Sequence, residues 1–181
     1  PYYWAKEKVI FQQVKYQKVV ADADLSNFDV VLNPKKADQN IQDYPQLCTY
    51  FYEFNLTDPM LQKSAVRKAI ASMISTKNLL ADITHLHPSN TFLPKSMLGE
   101  QESVWEPVVA EQLFSQNQIS ETHPLKLRIR YDDSSLNQTI ATRLNHQLSQ
   151  SDLLRVENQG MGWQELQTAR TKGDFQLIRS G

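Results

Sequence analysis

Glycine and cysteine are both scarce in this sequence: 181 residues include five glycines and one cysteine. Five glycines leave little room for a phosphate-cradling loop, and no such loop, nucleophile elbow or cysteine cluster can be read in the chain. The lone thiol, Cys48, cannot close an internal disulfide. Its place in an apolar run predicts a buried, inert side chain and leaves the compartment open. Neither sign of charge dominates. Lys and Arg number 19 against 20 Asp and Glu, a net charge of −1, so no general attraction to nucleic acid or acidic lipid is expected. No run of about 18 apolar residues occurs, hence no apolar helix long enough to cross a membrane. Internal repeats and low-complexity segments are also missing. What remains, 40% hydrophobic and 22% charged, is the composition of a globular protein. The length suits one domain, or one and a piece of another. The chain opens on Pro1-Tyr2-Tyr3-Trp4, which reads as the interior of a domain, and ends on strand-like Phe175, Leu177, Ile178 and Arg179. A segment of a longer protein is therefore expected.

The most informative stretch is residues 47–74. Residues 48–54 form an aromatic and β-branched run, the pattern of a strand covered on both faces. Asn55, Asp58 and Pro59 break it. Val66, Ala69, Ile70, Met73 and Ile74 then recur at helical spacing, with Arg67 and Lys68 on the other side and Ser64 as the expected cap. Before this unit, residues 9–20 and 28–32 read as strands and residues 35–45 as a loop or a short irregular helix. After it, Ser75 is expected to cap a short helix carrying Leu79, Leu80 and Ile83, and residues 85–102 form a long loop. Pro107 suits the first turn of a helix whose apolar side is Ala110, Leu113 and Phe114.

The last third is the most regular. Leu125, Leu127, Ile129 and Tyr131 alternate with Lys126, Arg128 and Arg130, predicting a strand with one covered and one wet face. Ser134 or Ser135 caps a helix with Leu136, Ile140, Leu144 and Leu148 spaced by four. Residues 154–157 predict a strand, residues 163–170 a helix closed by Gly173, and residues 175–178 a strand. The order β-α-β-α-β predicts parallel pairing through helical crossovers.

Few residues here suggest chemistry. His85 and His87 could be metal ligands, but no third ligand lies at a supporting spacing, so a solvated loop is the simpler reading. Asp132-Asp133 could bind a cation or an amine, or merely begin a helix. Glu53, inside an apolar strand, needs a partner: it holds a structural arginine or faces a cleft. Trp163 and Arg170, two helical turns apart, share one face. Trp163 alone would be core, but with Arg170 on its stripe the face is expected to be partly wet.

The run Cys48-Thr49-Tyr50-Phe51-Tyr52-Glu53-Phe54-Asn55 followed by Val66-Arg67-Lys68-Ala69-Ile70 resembles the signature of the dipeptide and oligopeptide-binding family of extracytoplasmic solute-binding proteins. Supporting pieces occur in the family's order: Pro1 to Trp4, the strand at residues 9–16, Phe28-Asp29, the strand at residues 125–131, Trp163, and Gly173-Asp174-Phe175. Within the family the likeness is strongest to the oligopeptide receptors.

The resemblance implies an α/β fold of the type II periplasmic-binding-protein kind, mostly the second lobe with a piece of the first. Residues 1–45 would end lobe I, and residues 46–181 would supply a hinge strand and an incomplete lobe II. It implies a receptor that binds extended peptides in an interlobe cleft and delivers them to the permease subunits of an ABC importer, in the periplasm or lipid-anchored outside the cell. No enzyme activity, cofactor, metal or nucleic acid is implied, and a monomer is expected. The implied ligand-binding residues are Phe51, Glu53, Asp132, Asn137, Trp163, Arg170, Arg179 and Gly181. Arg179 is matched to a group that takes a peptide carboxylate, Asp132 stands where Asn is usual, and Asn137 where a His can touch the ligand's C-terminal end. Phe51 replaces a Tyr. The family's Trp-x-x-Asp-Tyr segment, expected to hold a peptide amino terminus, would follow Gly181, so little peptide binding is expected of these residues alone. Alternatives are another cargo (murein peptide, nickel or haem), the sensor domain of a transcriptional regulator, or an α/β enzyme domain, against which the missing catalytic constellation argues.

Overall fold

The structure, a computed structural model, describes residues 48–83, 86–89, 91–93, 97 and 108–181. The expectations for Pro1 to Trp4, residues 9–20, 28–32 and 35–45, His85 and Pro107 lie outside the described residues. In chain order the elements are β1 (Phe51–Phe54), α1 (Ser64–Ser72), α2 (Thr76–Leu79), α3 (Ala110–Gln116), β2 (Leu125–Asp132), α4 (Ser135–Leu148), β3 (Leu154–Met161), α5 (Trp163–Lys172) and β4 (Leu177–Ser180).

The strands form one sheet in the order β1-β4-β2-β3. β2 pairs in parallel with β3 along its whole length and with β4 at Ile129 and Arg130. The β-α-β-α-β order thus gives the parallel unit expected of it, β4 lying on the far side of β2 from β3. β1 adds antiparallel to β4, Phe51 opposite Ser180 and Phe54 opposite Leu177.

Side-chain alternation assigns the two faces. Leu125, Leu127, Ile129 and Leu177 enter a large core with Val66, Ala69 and Ile70 of α1, Phe114 of α3, and Ala141, Leu144 and Leu148 of α4. Leu127, Ile129, Ala69 and Phe114 are 0% exposed. The opposite face packs Ile178 and Met161 against Leu166 and Ala169 of α5, with Phe175 closing the cluster.

The caps follow local chemistry. Ser75 and Ser134 each accept the amide three residues on, at 3.3 Å, as the sequence predicts. Gly173 ends α5 in the left-handed region, φ +69°, where a side chain would be strained.

Five expectations need correction. α1 has Lys63, not Ser64, before its first turn, and no side chain caps it. Asp58 takes the nearby amides of Met60 and Leu61 at 2.9 and 3.2 Å, and Arg67 folds back onto the carbonyls of Leu61 and Gln62. The aromatic run is not a strand covered on both sides: β1 starts at Phe51, pairs with β4 alone among the described strands, and all four residues are half-buried. Cys48, ahead of the strand, is exposed. β3 runs on from residue 157 to Met161 because the β2 backbone pairs with it throughout, which outweighs the weak strand preference of Asn158, Gln159 and Gly160. β4 begins two residues later than the pattern suggests, since the backbone of Gln176 instead joins Asn55 and Arg128 at 3.0 Å each.

Candidate functional site

In an open α/β sheet, ligands bind beyond the carboxyl ends of the parallel strands. That edge is formed by Asp132 ending β2, Met161 ending β3, Ser180 and Gly181 ending β4, and Phe51, which pairs with Ser180 at the start of antiparallel β1. The helices that leave this edge begin with Ser135 and Trp163, so six of the eight expected residues gather there: Phe51, Asp132, Asn137, Trp163, Arg179 and Gly181. Glu53 of β1 and Arg170 of α5 lie one step below.

Glu53 resolves the choice left by the sequence. Its carboxylate takes a hydrogen bond from Nη1 of Arg170, and Nη2 of Arg170 donates to the Arg179 carbonyl at 2.9 Å. Arg170 thereby ties α5 to both β1 and β4. Burial raises the Glu53 pKa, but the hydrogen bonds from Arg170 and Ser180 and the Arg170 charge outweigh it, and the net shift is below the ordinary value.

Arg179 leans the other way. Its Nη1 donates to Oδ1 of Asp132 at 3.3 Å, and its guanidinium carbon lies 4.9 Å from the centroid of the Tyr50 ring, a cation–π contact. Tyr50 and Tyr52 meet edge to face at 6.0 Å, and Phe51 and Phe92 at 4.9 Å. Thr49 donates to the Phe92 carbonyl at 2.7 Å, fixing that ring beside β1. The tyrosine hydroxyls and Nε of Arg179 are buried with no partner among the described residues. Burial raises the pKa of Tyr50 and Tyr52, so both hydroxyls keep their protons at neutral pH.

The remaining expected residues occupy different depths. Trp163 is 60% exposed, which settles the choice between core and wet surface in favour of surface. Asn137, in the first turn of α4, is only 4% exposed, and its amide bonds to Ser134. Gly181 has φ +123°, and a Cβ there would come within 2.4 Å of the Thr49 carbonyl oxygen, so this position needs glycine. Asp132 ends β2 and Asp133 precedes the Ser134 cap, so neither lies in the first turn of α4, and Asp132 instead holds Arg179.

Sequence reasoning missed Arg130 and Tyr50. Arg130, assigned to a wet face, is 5% exposed. Its Nε donates to the Asp174 carbonyl at 3.1 Å and its Nη1 to Gln159, while Arg128 bonds Asp174 and Gln176. Gln176 reaches Asp58 at 3.1 Å, and Asn55 donates to the carbonyls of Gly173 and Phe175 at 3.0 Å each. This network fixes the turn from which β4 and Arg179 emerge. The signal was present: Asp174 follows the helix-ending Gly173, where arginines on the neighbouring strand find an anion. Among the described residues no group of three or more His, Cys, Asp or Glu could hold a metal ion, and no helix is long and apolar enough to cross a membrane.

This fold, a mixed sheet whose carboxyl edge carries aromatic rings and paired charges, is that of the type II periplasmic binding proteins. The chain belongs to the bacterial extracellular solute-binding proteins, family 5, whose middle region matches residues 1–181. It is 90% identical over 181 residues, all of this chain and 35% of the relative, to a "Putative binding protein" of Haemophilus influenzae. It thus spans about a third of that relative's length. Among solved structures, the Escherichia coli murein tripeptide binding protein MppA matches with a TM-score of 0.62 at 26% identity, over 75% of this chain and 29% of that one. Haemophilus influenzae OppA in complex with the peptide RPPGFSPFR matches in fold with a TM-score of 0.61 at 21% identity, over 74% and 29%.

Proposed function

We propose that the chain is part of the substrate-binding component of an ABC importer, taking extended peptides in a cleft for uptake. Residues 1–45 would close the first lobe, and residues 46–181 would form a hinge strand and most of the second. The observation that carries this reading is family membership together with a carboxyl edge that holds the start of β1, the end of β4 and the start of α5, and with them Phe51, Trp163, Arg179 and Gly181. Extended peptides are held mainly through their main chain, so such a site needs strand ends, aromatic walls and hydrogen-bonding capacity more than one fixed specificity pocket. MppA binds a murein tripeptide by its name, and OppA was solved with a nine-residue peptide. Glu53, Asp132, Asn137 and Arg170 would shape the site around the residues at its mouth. The receptor would work outside the cytoplasmic membrane, as a monomer handing its load to permease subunits.

Native mass spectrometry of the full-length protein, purified without refolding, tests this. Heterogeneous short peptides are expected to co-purify. A single small molecule or a metal ion in their place would overturn the peptide reading and favour another cargo.

A further inference from the structure

Arg179 stands at the carboxyl edge and Arg170 one step below it, and each already faces an anion. Arg170 pairs with Glu53, and Arg179 lies 3.3 Å from Asp132. Two cations against two carboxylates leave no net charge. The second pair is well covered, with side-chain exposures of 18% for Arg179 and 24% for Asp132, so salt and water screen it less than an exposed pair. The Tyr50 ring covers one side of the Arg179 guanidinium, and Tyr52, edge to face with Tyr50, extends that aromatic surface.

We propose that this edge seats an uncharged stretch of ligand and turns away a carboxylate, with Asp132 as the specificity-determining residue. The proposal rests on the receptor reading above and narrows its ligand. A carboxylate approaching Arg179 meets the like charge of Asp132. To displace Asp132 it would leave that side chain partly buried without its cation, which is costly. A peptide carbonyl or a neutral amide meets neither obstacle, since it can accept from Arg179 while Asp132 stays in place. The family resemblance alone would assign Arg179 to a peptide carboxylate; here Asp132 already fills that role.

Asp132→Asn keeps the size of the side chain and removes its charge, and acetate serves as the probe carboxylate. In the 181-residue chain, NMR of the Arg179 Nε–H is expected to show no saturable acetate response in the wild type. In the variant it should show one, at least about tenfold tighter than any wild-type response. An equal response in both proteins, or none in either, overturns the proposal. In the full-length protein, a short peptide and its C-terminal amide should bind the wild type within about twofold of each other, and Asp132→Asn should favour the free acid by about tenfold or more. A wild-type preference of that size for the free acid also overturns it, whether or not the variant folds. If the acetate contrast appears but neither peptide binds, the peptide reading fails while the role of Asp132 stands.

Discussion

On one face of the sheet, Leu125, Leu127 and Ile129 of β2 press against aliphatic side chains of α4 and neighbouring helices. On the other, Arg128 and Arg130 of the same strand meet Asp174, Gln176 and Gln159 beside α5. One strand is thus held by apolar burial on one side and by charge-assisted hydrogen bonds on the other. The dry face tolerates change of shape poorly but is indifferent to pH, whereas the polar face depends on each partner being present. The polar face also fixes the site, because Asp174 and Gln176 anchor the turn into β4, whose far end carries Arg179 and Gly181.

The comparison is broken most directly by truncating one residue on each face. Leu127 is 0% exposed at the centre of the larger core, so Leu127→Ala loses both burial and packing and should cost about 3 kcal/mol, within a usual range of about 2–5. Urea unfolding of the chain measures it. Arg130→Ala should cost less, about 2 kcal/mol, because hydrogen bonds to a charged group contribute about 1.5–3 kcal/mol. The Asp174 carboxylate, 3.5 Å from Arg130 and with its side chain 52% exposed, can rehydrate when the arginine goes. Arg130→Met, which retains an apolar stem, should recover part of that loss. If Arg130→Ala equals or exceeds Leu127→Ala, the polar face is the stronger fastening and the comparison is inverted.

The two faces also differed in how far the sequence revealed them. The dry face is written as the strict alternation of Leu125, Leu127, Ile129 and Tyr131 and as the four-residue spacing of Ile140, Leu144 and Leu148, so its strand, its helix and their pairing could be predicted. Alternation cannot distinguish an arginine in water from one buried against a carboxylate, so the pattern alone places Arg130 in solvent. Edge position is equally invisible: the aromatic run at β1 has the composition of a central strand, yet β1 lies at the sheet's edge as described and Cys48 is exposed. At the candidate site, the need of Glu53 for a partner could be read from its apolar neighbours, and Arg170 was already in view. That Glu53 and Arg170 are partners, and that Arg179 belongs to Asp132 and Tyr50, depends on the crossing of β1, β4 and α5, which no local pattern encodes.

The smallest expected effect sharpens the comparison through pH. Glu53 and Arg170 sit at the open end of the polar face, with side chains 37% and 29% exposed, so solvent screens them and Glu53→Gln should cost under about 1 kcal/mol at neutral pH. Burial pushes the Glu53 pKa up, but the Arg170 and Ser180 hydrogen bonds and the Arg170 charge bring it below the ordinary value of 4.5. A lowered pKa means that the unfolded chain holds the Glu53 proton to higher pH than the folded one. The pair's contribution is then fully present above 4.5 and is lost as pH falls through the lower folded-state value. Urea midpoints of wild type and Glu53→Gln should differ at neutral pH and converge in acid, while Leu127→Ala should stay equally far below wild type across the same range. A Glu53→Gln gap that persisted undiminished into acid would mean that Glu53 acts through packing, and that this end of the polar face is fastened like the dry one.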